Sequence, residues 1–286
     1  MKAFRKSLCL FKGQFFASLA NWRVIVGYLI GIFTVLRYTH NYQGYAAGRV
    51  VQVFEAFITA FSDRTTVLLF LIGFLIIIAD APFVNHRSIL MLYRTSRKQW
   101  FWGMNIYIFM HCLLYHCVTL AASMIVQARQ GYIHNIWSRV MINLVRFPSS
   151  EGIVKWSMPS SLPETLLTDY TPISAVLYTF VFMAMYACIL ALILFIFNAF
   201  ISRAVGTALA GAVHMLGYIM MYGGVSGYNA AWSLFNNAFF TSHLEGTLSI
   251  FFSVSYMLLV ICLLLFLGLV LIRSADFSYS SGEENA

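Results

Sequence analysis

His111, Cys112 and His116 fall close together in one apolar run, and His214 lies in another. These are the residues whose types and spacing could hold a metal or move a proton away from water. His111 and His116 are five apart, which on a helix turns them about 140° from each other, so they cannot face one ion from that helix. Cys112 and His116 do share a face, but two ligands without a third make a poor zinc site. His214 sits among small residues, where donating a hydrogen bond across a helix contact is the simpler role. The five cysteines form no CxxC pair and give no disulfide framework. Cys112, Cys117, Cys188 and Cys262 lie in apolar runs, where a small buried hydrophobe is the expected role. No metal site is expected.

Carboxylates are scarcer than histidines in these runs. Glu55 and Asp63 precede one run and Asp80 ends it, but the cores carry no Asp or Glu. A carrier coupled to protons or sodium normally needs a carboxylate near mid-membrane, because a buried charge is too costly to keep without a use. HExxH, GxSxG and GxxxxGK[ST] are all absent. No catalytic or cofactor-binding residue is therefore expected, and any work this chain does would draw its energy from another chain.

The elements that must carry these residues follow from composition. Of 286 residues, 60% are hydrophobic and 10% charged, against about 45–50% and about 25% in soluble domains. Mean hydropathy is +0.79. These values exclude a water-soluble enzyme, a nucleic-acid-binding domain and a disordered chain, so the net charge of +8 is read as orientation rather than as a nucleic-acid footprint. The chain is expected to be an all-α membrane protein, one polytopic domain over 1–286 with six spans. These lie at 21–38, 62–79, 101–126, 173–201, 204–222 and 248–272, each continuous rather than alternating, as helices near the ~20-residue crossing length require. The helix of the second span could begin as early as Val50.

Six spans put both termini on one side. The candidate inner segments hold eleven basic residues, the outer ones seven, and Arg87, Arg94, Arg97 and Lys98 crowd one short inner loop. The positive-inside rule then places both termini in the cytoplasm of a multi-pass plasma-membrane protein. Ahead of the first span, Phe4, Leu8, Phe11, Phe15 and Leu19 recur at helical spacing opposite Arg5, Lys6 and Lys12. That pattern predicts a retained interfacial elbow helix over residues 3–20, not a cleaved leader.

In the fifth span Ala204, Ala208 and Ala212 form a four-residue ladder, with Gly206, Ala210, Thr207 and Gly211 beside it. Small residues at this spacing let helices approach closely, either inside the bundle or between subunits. Residues 225–246 are too polar to span and dense in aromatics, which suits the outer interface or a re-entrant element buried in protein. The outer loop, 127–171, carries Ile133, Ile136, Trp137, Val140, Met141 and Leu144 at helical spacing, predicting an amphipathic external helix, and then a proline-punctuated stretch.

The inner loop 80–99 is the most informative segment. Pro82 breaks the second helix, and Asn85 can cap a short helix over 86–94 that shows Ile89, Leu90, Leu92 and Tyr93. A basic cluster follows, and Trp100 and Trp102 anchor the return to the membrane. The segments DAPF and RTSRKQWFWG resemble the loop between spans two and three in type-2 permease subunits of bacterial ATP-binding-cassette transporters. The resemblance implies that Pro82, Phe83, Asn85, Arg87, Ile89, Leu90, Tyr93, Arg94 and Arg97 form the surface docking a separate cytoplasmic ATPase subunit. ATP and Mg would then be held by that partner, not by this chain. It further implies an exporter-type complex in which spans one, two and five line a path with a second permease subunit, identical or homologous. A stand-alone secondary transporter or channel, and a membrane anchor or assembly protein, are the alternatives. The lipid bilayer is a partner in each case, and nucleic acid in none.

Overall fold

A computed structural model of the chain describes residues 2–81, 95–159, 162–222, 231–244, 246 and 248–272, with side chains at all of these except 2–5, 203 and 222. Helix α1 (Lys2–Leu19) is followed by α2 (Trp22–Ala46), a two-residue strand β1 (Val51–Gln52), and α3 (Glu55–Ala60). Then come α4 (Arg64–Ile78) and α5 (Arg97–Gln127). The 127–171 loop holds β2 (Gly131–Tyr132), α6 (Arg139–Arg146), α7 (Ser150–Trp156) and α8 (Thr165–Thr168). The remaining elements are α9 (Pro172–Phe200), α10 (Arg203–Tyr222), α11 (Leu234–Asn237), α12 (Thr241–Leu244) and α13 (Ile250–Leu271).

Five helices, α2, α5, α9, α10 and α13, are long and apolar enough to cross a membrane. This is a membrane-embedded, all-α bundle. Its only β pairing among the described residues is the parallel register of Val51 with Gly131 and Gln52 with Tyr132. Helix α4 is apolar but has 15 residues, about 22 Å of rise against the ~30 Å of a hydrocarbon core. The expectation that its helix could start near Val50 does not hold. Asp63 accepts hydrogen bonds from Thr66 N (2.8 Å) and Thr66 Oγ1 (2.6 Å), so its short polar side chain caps α4 as a helix separate from α3.

Other boundaries follow from similar caps. Asn21 Oδ1 accepts from Arg23 N and starts α2. Ser96 and Gln99 form a reciprocal capping box at α5, and Thr171 and Ser174 form another at α9, with Pro172 in the first turn. Helix α2 runs eight residues beyond the anticipated end at Tyr38 and stops at Ala47, which takes the left-handed conformation. The external helix is shorter than its pattern suggested. Only Arg139–Arg146 is helical, with Val140, Met141 and Leu144 buried, while Ile133 and Ile136 lie in the preceding irregular segment and are exposed.

Helix α9 is the central post, packed by α3, α4, α5, α10, α11 and α13. Helix α2 packs closely on α4. A Cβ on Gly27 would lie 2.7 Å from Gly73 O, and one on Gly31 would overlap the Tyr115 ring, whose hydroxyl donates to Phe70 O at 2.7 Å. Gly27 and Gly31 form a GxxxG pair that lets the backbones touch where lipid supplies no hydrophobic drive. Helix α1 lies along α5, burying Leu10, Phe11 and Phe15 while Phe16, Lys6 and Lys12 stay exposed. Ser18 Oγ donates to Phe15 O, so it must accept from His111 Nε2 at 3.0 Å. His111 Nδ1 then accepts from Tyr28 O–H at 3.1 Å. The ring thus joins α1, α2 and α5.

The cysteines depart from expectation. Cys112 is buried, but Cys117 and Cys262 are exposed on the bundle's flank and Cys188 is half-buried. Among the described residues no three His, Cys, Asp or Glu side chains gather as a metal site.

Candidate functional site

The helix ends that bracket the 82–94 segment lie together at one end of the bundle. Arg23, in the first turn of α2, pairs with Asp80, just past α4. Asn198, two residues from the end of α9, donates from Nδ2 to Ala79 O (3.1 Å) and Ala81 O (2.8 Å). Ala81 is fully buried. On the return side, the capping box at Ser96 and the buried Trp100, packed 5.8 Å from the Phe195 ring, fix the start of α5. A loop of this length is therefore held at both ends by side chains of α2, α5 and α9.

Pro82, Phe83, Asn85, Arg87, Ile89, Leu90, Tyr93 and Arg94, and the short helix anticipated there, lie outside the described residues. Arg97 is the first residue of α5 and is exposed. Asn198, Asp80 and Arg23 do the anchoring, and none of them was singled out for this role from sequence. The signal was present: a lone Asn inside LILFIFNAF and an acid and a base at two facing helix ends.

Helix α10 presents its small residues in two ways. Gly206, Ala210 and Gly217 are buried in the bundle; a Cβ at Gly206 would overlap the Asn198 carboxamide, and one at Gly217 would sit 2.5 Å from Phe235 Cβ. Ala204, Ala208 and Ala212 are exposed, and a Cβ on Gly211 would meet open space. Of the residues in and beside this ladder, Gly206 and Ala210 pack inside the bundle, while Ala204, Ala208 and Ala212 face outward. The contact face is rotated, because the ladder and its neighbours are all small and only the position of α9 decides which row it meets. His214 Nε2 donates to Leu68 O on α4 at 3.2 Å and its Nδ1 accepts from Tyr186 O–H on α9 at 3.1 Å, a bond across helices as anticipated.

Helix α4 sits between α2 and α10, and each of the three leaves an exposed apolar stripe: Ile25, Leu29 and Phe33 on α2, Leu69 and Ile72 on α4, Leu216 and Ile219 on α10. A cleft of about 560 Å³ opens at their Arg23–Asp80 end, lined also by Ala204, Thr207 and Ala208.

At the opposite end stands the feature the sequence reading passed over. Glu55 is fully buried. Its Oε2 accepts from Tyr42 Oη (2.9 Å), Gln52 N (3.2 Å) and Ser138 Oγ (2.7 Å), and its Oε1 accepts from Ser138 N (2.7 Å). Ser138 also accepts from Met141 N and so caps α6, which places the carboxyl at that helix's N-terminus, where negative charge is favoured. Burial pushes the Glu55 carboxyl above its ordinary range, and the hydrogen bonds from Ser138, Tyr42 and Gln52 hold part of that rise back. Chemically the arrangement is a clasp: it ties α2, β1 and the 127–171 loop together and leaves both oxygens occupied.

The segment over 231–244 packs as two short helical turns, α11 and α12, with Phe235, Phe239 and Phe240 buried and His243 stacked on Phe182 at 4.4 Å. Asn237 donates to Ala231 O and Ser233 O and accepts from Ser253 Oγ at 2.6 Å, so this non-spanning backbone is satisfied within the protein. Comparison with family models, with curated proteins and with solved structures finds no match for the chain.

Proposed function

We propose that this chain is the membrane-spanning permease subunit of an ATP-binding-cassette transporter of exporter type, located in the plasma membrane with both termini cytoplasmic. It forms a translocation path with a second permease subunit and is driven by a separate cytoplasmic ATPase. The observation that carries this reading is the anchoring of the 80–99 loop. A loop that transmits a stroke must be rigid at its roots: Arg23–Asp80 and Asn198 tie its first end to α2 and α9, and the Ser96 capping box fixes the start of α5 at its second. A push delivered at Asp80 and Ala81 would reach α2, α4 and α9 together.

Two further features fit. The starts of α2, α5 and α10 and the ends of α4, α9 and α13 share one end of the bundle, linked by Arg23–Asp80, Asn198–Ala81 and the approach of Gly268 to Phe101 and Ile196. With α4 completed by its flanks as a sixth crossing, α1 serves as the interfacial elbow and 231–244 as the described part of the re-entrant element. The exposed stripes of α2, α4 and α10, with the outward ladder Ala204, Ala208 and Ala212, then supply the face toward the second permease. A stand-alone carrier would need a carboxylate free to exchange an ion, and Glu55 has four donors on its two oxygens.

The test is a pull-down from native membranes. Wild type is expected to retain an ATPase subunit, and a variant with Pro82→Ala, Phe83→Ala and Arg87→Glu to lose it while keeping the wild-type melting behaviour. Undiminished retention by the variant would refute the docking role of the loop.

A further inference from the structure

Helix α13 leans chiefly on α9 and only lightly on α5. The space left between the three is an apolar groove of about 530 Å³, lined by Trp102, Asn105 and Phe109 from α5, Ala184 from α9, and Leu258 and Leu265 from α13. That volume is in the range of sites that hold a discrete ligand, roughly 300–1,000 Å³. It lies on the flank formed by α5, α9 and α13, away from the Arg23–Asp80 cleft. Its walls offer almost nothing to hydrogen-bond, so an occupant from water would gain little orientation there. A hydrocarbon chain needs none.

The charge above the groove selects among hydrocarbons. Lys98, Trp102, Asn105 and Phe109 recur at intervals of four, three and four, which places them on one face of α5. Lys98 is exposed, in the first turn of that helix, about 6 Å along the axis from Trp102. Trp102, 44% exposed, has the amphipathic ring that settles at headgroup level. An ammonium one turn above a greasy slot and beside an interfacial tryptophan is complementary to an anionic headgroup with its acyl chain below it.

We propose that the α5–α9–α13 groove is a binding site for one anionic phospholipid of the surrounding bilayer, its acyl chain in the groove and its phosphate at Lys98. The lipid fills the gap that α13 leaves against α5 and so holds α13 to the bundle. The site is independent of any ATPase partner, so its failure and the failure of the transporter reading are separate results.

The experiment uses the full chain in mixed micelles of phosphatidylcholine, with and without phosphatidylglycerol, reading the melting temperature and the co-purifying lipid by mass spectrometry. Wild type is expected to retain phosphatidylglycerol in preference to phosphatidylcholine and to melt higher with it. Lys98→Gln should weaken phosphatidylglycerol retention roughly fivefold, the effect of one basic residue near a membrane surface, without removing bound lipid altogether. Ala184→Phe and, from the opposite wall, Leu258→Trp should each exclude the acyl chain and abolish retention, with melting in lipid-free detergent unchanged for at least one of them. Equal retention of both lipids by wild type would overturn the proposal. So would undiminished retention in both groove variants, or a change in oligomeric state with lipid content unaltered, which would make the groove a seat for another subunit's helix.

Discussion

Replacing Glu55 by Gln tests whether the buried carboxylate is a clasp, and the geometry fixes the size of the effect. Two of its four donors are hydroxyls, Tyr42 and Ser138, which can reverse direction. The other two are backbone N–H groups, Gln52 on Oε2 and Ser138 on Oε1, which can only donate. A carboxylate offers an acceptor to each, whereas an amide offers one acceptor and turns its NH₂ toward the other. Glu55→Gln therefore strands one buried N–H, worth about 1–3 kcal/mol. Glu55→Ala strands both, and with some relief from no longer burying a charged group the loss is about 3 kcal/mol. Unfolding followed in detergent should rank wild type above Gln and Gln above Ala, and hydrogen exchange should rise first over Ser138–Arg146, the helix whose cap the carboxyl supports. A Gln variant as stable as wild type, with α6 still protected, would refute the reasoning.

Three more outcomes follow from the same packing. Because burial raises the Glu55 carboxyl, the folded state binds its proton more tightly than the unfolded state does. The stability wild type holds over Glu55→Gln is then full below the ordinary glutamate value of about 4.3 and shrinks as the pH rises through the raised value; a margin that widened with pH would contradict it. Asn198→Leu removes the donor to two carbonyls and should cost about 1–3 kcal/mol in detergent unfolding, with faster exchange at Ala81; no change in either would show that the loop root is held elsewhere. Gly31→Ala drives a methyl into the Tyr115 ring and should cost about 1–3 kcal/mol, and in a Tyr115→Ala background it should cost much less; equal cost in both backgrounds would remove Tyr115 as the obstacle.

The helical crossings were legible because their apolar runs are long and uninterrupted, and α2, α5, α9, α10 and α13 appear within a few residues of the anticipated places apart from the extended end of α2. Which way a helix faces was not legible. Helices α9 and α13 are apolar all round, so periodicity says nothing of their contacts, and in α10 two adjacent rows of small residues compete. Gly27 and Gly31 carried a packing signal as specific as the alanine ladder, hidden by their place in a span already identified by hydropathy. Glu55 was read by its position before an apolar core, but its burial depends on Ser138, 83 residues away, and no local pattern encodes that pairing. Asn198 is a similar case, with partners 119 and 117 residues distant.

The junction of Ser18 with His111 joins segments 93 residues apart, and it orders the birth of the protein. At a synthesis rate of about 5–20 residues per second, the first helix emerges roughly 5–20 s before the residues that will cover Phe11 and Phe15 exist. For that interval its greasy side has no protein to rest on, and the nearest shelter is the surface of the bilayer itself. The lipid is thus the first scaffold for the N-terminus, and α5 replaces it only after most of a hundred residues have followed.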